Sequence, residues 1–295
     1  MSKNKKLLTK ISIIAILTAL CFAGTFVQIR MPSGDMVHLG NFVMIIAALL
    51  LGGLEGGFVG SFGMGLYDVI YYTQKPTTIF RTLILKFLIG FIVGSLFRLI
   101  IKKDLKARPI LFTISGLLFA LGIGAIILYA TGDFANTSAK NLFSSVHYYV
   151  LDDKTKSFNV SIIIPILSIL YAITALVAGI ISGKLTQRNK AALVAILVAI
   201  FINIIGEFVL RYTLEGWFVS DFNTSGLVAT SKIPGSMITG FITVILSVVV
   251  YEPVYYALKK ASLIEDDLET KQELEEENAE ILTQNNFETK DNLVK

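Results

Sequence analysis

Cysteine and histidine are nearly absent from this 295-residue chain, which has one thiol, Cys21, and two imidazoles, His38 and His147. A single thiol cannot close an internal disulfide, and two histidines so far apart in sequence offer no Cys/His metal-ligand spacing. Cys21 lies inside an apolar run and reads as core filler. Signatures of catalysis are missing too: there is no HExxH, and no Gly-x-Ser-x-Gly elbow in a strand-to-helix setting. The nearest approach to a phosphate-binding loop, Gly179 to Leu185, ends Gly183-Lys184-Leu185 and has Ala178 where an earlier glycine is needed. These absences point away from an enzyme, a metal site, a resident cofactor or an ATPase carried on this chain.

Charge is also scarce. Charged residues make up 16% of the chain against 54% hydrophobic, with a mean hydropathy of +0.70. So much apolar surface cannot be hidden in one soluble core, and a bilayer must cover it. The charge that exists is divided. From Ala261 onward there are 11 Asp/Glu against 3 Lys, a net of −8, so the overall +4 leaves +12 on the first 260 residues. The acidic stretch 261–295 is poor in Leu and Ile at heptad spacing and is expected to be a largely disordered cytoplasmic tail.

Runs long enough to cross a bilayer fall near Leu7 to Val27, Leu39 to Leu54, Gly56 to Tyr72, Phe80 to Ile101, Ile110 to Tyr129, Val160 to Ile181, Ala191 to Arg211 and Ser236 to Leu258. The sequence therefore predicts an all-α integral membrane protein, a helical bundle of about eight transmembrane helices. Clusters of Lys and Arg at 3–10, 102–108, 184–190 and 259–260 fall on one side if all eight runs cross, which places both termini in the cytoplasm of a multi-pass cell-membrane protein. The Lys-rich start and the small residues at Ala23-Gly24 also fit a signal peptide. Removing that run would leave an odd number of crossings and put one terminus on the wrong side for its charges.

Polar residues gather at the outer ends of these spans. His38-Leu39-Gly40-Asn41 precedes a glycine series, Gly52, Gly53, Gly56, Gly57, Gly60, Gly63 and Gly65, that ends at Asp68. Small residues three and four apart let helices pack closely, and a charge in hydrocarbon normally faces the bundle interior with a partner or a task. Asp68, Lys86, Glu207 and Glu252 are such charges. Asp68 and Lys86 sit at similar depth on neighbouring spans, and a salt bridge between them is expected. Asn203, Glu207 and Arg211 share one helix face at four-residue spacing, whereas Glu252 reads as a structural residue near the inner rim. Tyr67, Tyr71, Tyr72, Tyr212 and Trp217 offer aromatic walls, either as interfacial anchors or as surfaces for a flat ring. The loop from Gln28 to Val37, with Arg30, Pro32, Gly34 and Asp35, is placed to act as a lid.

The run His38 to Asn41, the glycine series to Asp68, Lys86-Phe87-Leu88-Ile89-Gly90, Ile202 to Leu210 and Lys232-Ile233-Pro234-Gly235-Ser236 together resemble the substrate-binding S components of energy-coupling-factor (ECF) vitamin importers, in their riboflavin-type or uncharacterised branch. The resemblance implies a six-helix core that captures a vitamin or precursor at the outer face. It further implies partners, namely a transmembrane coupling subunit and two ATP-binding subunits. Carried onto this chain, it suggests substrate-binding roles for His38, Asn41, Asp68, Tyr71, Lys86, Asn203, Glu207, Arg211 and Lys232, and docking of the coupling subunit along Ala15, Ala19 and Ala23. The segment 109–185 departs from it, so the organisation expected is four core helices in 1–108, an inserted pair with a polar outer loop in 109–185, two further core helices in 186–260, and the tail in 261–295. The resemblance names no particular vitamin.

The competing reading is a self-sufficient secondary transporter, although no internal repeat relates the two halves. An intramembrane enzyme using Asp68 or Glu207 would need a nucleophile or metal beside them, and the sequence supplies neither.

Overall fold

The computed structural model describes residues 3–30, 36–103, 105–131, 146–149, 155–158 and 160–264. Within them the chain is an all-α membrane bundle. Helix α1 (Lys3–Phe26) is followed by a small hairpin, β1 (Gln28–Arg30) and β2 (Met36–His38), and then by α2 (Gly40–Leu51), α3 (Gly53–Tyr71), α4 (Pro76–Lys102) and α5 (Ala107–Thr131). A second hairpin, β3 (Val146–Tyr149) with β4 (Thr155–Phe158), leads to α6 (Val160–Ile181), a 3-10 turn (Ser182–Lys184), α7 (Gln187–Phe218) and α8 (Phe222–Lys260). Among the described residues six helices, α1, α4, α5, α6, α7 and α8, are long and apolar enough to cross a membrane. Three sequence expectations lie wholly or partly outside the described residues: Pro32, Gly34 and Asp35 of the lid, most of the outer loop between α5 and α6, and the tail from residue 265.

α2 is shorter than the span expected there. Its 12 residues rise only about 18 Å, because its first turn begins beside Gly24 near the outer end of α1, whose carbonyl accepts from the Leu39 N–H at 3.1 Å. The break between α2 and α3 is the single residue Gly52, at φ 115°. Only glycine adopts that conformation without strain. The Leu51 carbonyl left at the break accepts from Arg98 Nη2 on α4 at 2.7 Å. The chain then reverses, and the glycine-rich face of α3 meets α4 at backbone distance: a Cβ on Gly90 would fall 2.5 Å from the Gly56 carbonyl carbon. Close approach of this kind is what small residues allow in a bilayer, where no hydrophobic effect drives helices together.

α8 is longer than expected. It starts at Phe222, fourteen residues before the predicted Ser236, and runs through Pro234. Asp221 caps it, its Oδ1 accepting from the Thr224 N–H at 2.9 Å. A proline interrupts the hydrogen-bond ladder locally, and neighbouring helices in a bundle hold the helix on course past it. α8 also packs against β2.

The buried core lies between α2, α4, α7 and α8, around Met44, Val93, Phe97, Ile196 and Tyr251. Helices α5 and α6 pack chiefly on each other, with α6 leaning on α8. At the end of the bundle carrying the basic clusters, Lys10 pairs with Glu55, and Asn189 Nδ2 donates to Glu252 Oε2 at 2.8 Å, in keeping with a structural Glu252. Arg188 does not sit on a solvated rim. It is buried, its guanidinium 3.9 Å from the Tyr255 ring centroid and 3.4 Å from the Tyr251 hydroxyl.

Candidate functional site

Because the helices alternate in direction, the outer end of α1, the β1–β2 hairpin, the start of α2, the end of α3, the start of α4, the second half of α7 and the first half of α8 all meet at the end of the bundle opposite the basic clusters. They enclose a cavity of about 210 Å³. Of the nine residues singled out from sequence, eight line it: His38, Asn41, Asp68, Lys86, Asn203, Glu207, Arg211 and Lys232. Tyr71 does not. It is exposed and stacks on Tyr67 at 4.7 Å between centroids, while its neighbour Tyr72 forms part of the wall. Arg30 on β1 is exposed and lies outside the lining.

The four-residue periodicity of α7 sets Asn203, Glu207, Arg211 and Glu215 in one row. Facing it, α4 presents Thr78, Arg81, Thr82 and Lys86. Arg81 and Lys86 are 8% and 5% exposed. Charges so deeply placed must be compensated in detail, and Glu207 is where this happens. Its carboxylate meets Arg81 Nε at 3.1 Å, Lys86 Nζ at 3.5 Å and Arg211 Nη2 at 3.8 Å. Glu215 takes second contacts, from Arg211 at 3.3 Å and Arg81 at 3.9 Å.

The salt bridge expected between Asp68 and Lys86 is not formed. The Lys86 ammonium turns to α7 and donates to Asn203 Oδ1 at 2.9 Å. Equal depth on adjacent helices brought the two residues to one cavity, but the direction in which α4 points its face gave Lys86 a different partner.

His38 stands on β2, outside the spans. Burial, helped by the Lys86 ammonium, pushes its pKa down to about 4, which leaves a neutral imidazole. Its Nδ1 has no hydrogen-bond partner among the described residues. The hairpin carrying it is tied to the end of α3, Gln28 Nε2 donating to the Tyr67 hydroxyl at 3.1 Å and the Tyr72 hydroxyl to Met36 Sδ at 3.5 Å. Asn41, Asn203 and Thr239 form the floor, since they also line a small void deeper in the bundle with Met44, Ile89 and Ile200.

Sequence reasoning misses Arg81, Thr82 and Thr78 as wall residues, and of the tyrosines it offers as aromatic walls it is Tyr72, not the substrate-binding candidate Tyr71, that lines the cavity. The four-residue spacing of Thr78, Thr82 and Lys86 was the available signal. Among the described residues no group of His, Cys, Asp and Glu could hold a metal ion.

A polar cavity at one end of an apolar helix bundle defines a membrane protein that binds a small solute. Residues 5–149 match the family model of the ECF-type riboflavin transporter, S component. Over that stretch the chain matches the ECF S components, which are substrate-binding components of membrane transporters and not enzymes. The match takes in α1 to α5 and ends at β3. No curated protein and no solved structure matches the chain.

Proposed function

We propose that this S component captures a vitamin or cofactor precursor at the extracellular side and hands it to an ECF transmembrane coupling subunit driven by two ATP-binding subunits. The observation that carries this reading is the cavity itself, which gathers the eight polar or charged residues singled out from sequence, on six separate elements, at the end away from the basic clusters. By the positive-inside pattern that end faces outward and both termini are cytoplasmic.

Two further observations support it. Ala15, Ala19 and Ala23 all lie on the exposed face of α1, so this stripe is not used for packing within the chain and is available to a partner helix. Among the described residues none from α5 or α6 lines the cavity, which favours a capture core of α1–α4 with α7 and α8, and an added pair beside it. The β1–β2 hairpin, held by Tyr67 and Tyr72, serves as a lid over the cavity and carries His38.

The test is uptake of labelled vitamins, riboflavin among them, by cells expressing the protein with or without the coupling subunit and ATPases. Uptake should require all of them, while binding to the purified protein should not. Uptake that persists without the ATPases would instead make the protein a self-sufficient secondary transporter.

A further inference from the structure

The charges held around the cavity balance in number but not in arrangement. Arg81, Lys86 and Arg211 stand against three carboxylates, Asp68, Glu207 and Glu215. The ion pairs of all three cations go to Glu207 and Glu215. Asp68 is 8% exposed, lines the cavity and faces the Thr82 hydroxyl, with no cation at salt-bridge distance among the described residues. Lys75 is exposed and Lys232 has a partner of its own, so neither upsets the balance.

Hydrogen-bonding capacity is left over at two points of the wall. An ionised carboxylate accepts about four hydrogen bonds, and an ammonium has three donors. Beside the Asp68 carboxylate stands the single hydroxyl of Thr82. Lys86 uses two donors, on Asn203 at 2.9 Å and on Glu207 at 3.5 Å, and the third is left for the cavity that it lines. A buried polar group with unused capacity is costly until something meets it. Here an acceptor and a donor are kept apart on the wall of one cavity, which is the arrangement a solute lying between them would satisfy.

We infer that the captured solute carries no net charge and lies between these two groups, donating an N–H or O–H to the Asp68 carboxylate and accepting from the Lys86 ammonium. Asp68 is then the residue that selects for a donor-bearing solute. This assignment rests on the capture reading above and narrows it. An anion would set three cations against four negative charges and a cation the reverse, and a charge without its counterpart among membrane helices is costly. A site built to accept a hydrogen bond rejects a close analogue that lacks the donor, because its own buried oxygen is then left without a partner.

The experiment uses the full chain in nanodiscs. Affinities are measured for matched pairs of probes. Riboflavin and 3-methylriboflavin, and nicotinamide and N,N-dimethylnicotinamide, differ in their N–H groups; riboflavin and lumiflavin differ in the hydroxyl chain; riboflavin and riboflavin 5′-phosphate differ in charge. In parallel, any small molecule carried through purification is released by denaturation and identified by mass spectrometry. The N-methyl pairs and the chain pair separate N–H from O–H as the donor that Asp68 meets. The expected result is that the released molecule has no net charge and carries such a donor, or that the donor-bearing member of a pair binds at least about tenfold more tightly, with the phosphate no tighter than riboflavin. Asp68→Ala should bring that ratio close to one, and Asp68→Asn, which keeps an acceptor, should retain part of it. A released molecule with net charge, equal affinity within the donor pairs that bind, tighter binding of the phosphate, or a ratio unchanged in Asp68→Ala overturns the assignment and leaves capture standing. The ratio in the unaltered protein decides the matter even where Asp68→Ala does not fold. Absence of any released molecule, of any probe binding and of any uptake overturns both.

Discussion

Lys86 on α4 and Asn203 on α7, 117 residues apart in the chain, meet in a buried hydrogen bond of 2.9 Å that joins the two halves of the cavity wall. A hydrogen bond to a charged group contributes about 1.5–3 kcal/mol, and leaving one partner buried alone costs the other its desolvation. Lys86→Met and Asn203→Leu should each weaken ligand capture about tenfold or more. The double variant should fall short of the summed effects by about 1–2 kcal/mol in a binding cycle. Additive losses would mean that the two side chains act separately.

Tyr71 and Tyr72 provide an internal control. Tyr72 lines the cavity and tethers Met36, whereas Tyr71 faces outward on Tyr67 and Phe26. Tyr72→Ala should weaken binding several-fold, and Tyr71→Ala should leave it unchanged. Equilibrium binding to the purified variants checks both.

Gly90 meets the backbone of Gly56, so a side chain there has no flexible neighbour to displace. Gly90→Leu should separate α3 from α4 and cost about 1–3 kcal/mol or more, as overpacking does. The readout is a lowered midpoint of thermal unfolding in detergent. An unchanged midpoint would contradict the close α3–α4 contact.

The stripe Ala15, Ala19 and Ala23 is exposed along α1. Ala15→Phe and Ala19→Phe should leave ligand binding intact and abolish co-purification with the coupling subunit. Retained assembly would place the docking surface elsewhere.

Much of this architecture was legible in the sequence. Hydrophobic runs of membrane-crossing length located the helices, and polar residues inside those runs located the cavity, because each such residue in hydrocarbon needs an interior position. Depth along a helix was readable; direction around it was less so. That is why equal depth predicts a shared cavity for Asp68 and Lys86 but not the partner of Lys86, and why sequence does not separate the outward-facing Tyr71 from its inward-facing neighbour Tyr72. Arg81 carries no clear signal in the sequence, because it stands at the start of an apolar run, where cations are common at the membrane interface. The early start of α8 was hidden by Pro234, which as a sequence signal marks a boundary but here lies within the helix.

The central claim is that the polar cavity at the end away from the basic clusters holds the transported solute. A cryo-electron microscopy structure of the full chain in nanodiscs with its co-purified ligand tests this most directly. The account predicts density for the ligand between Lys86, Asn203 and Asp68, beneath the hairpin that carries His38. Ligand density elsewhere on the protein, with that cavity collapsed onto its own side chains, would contradict it.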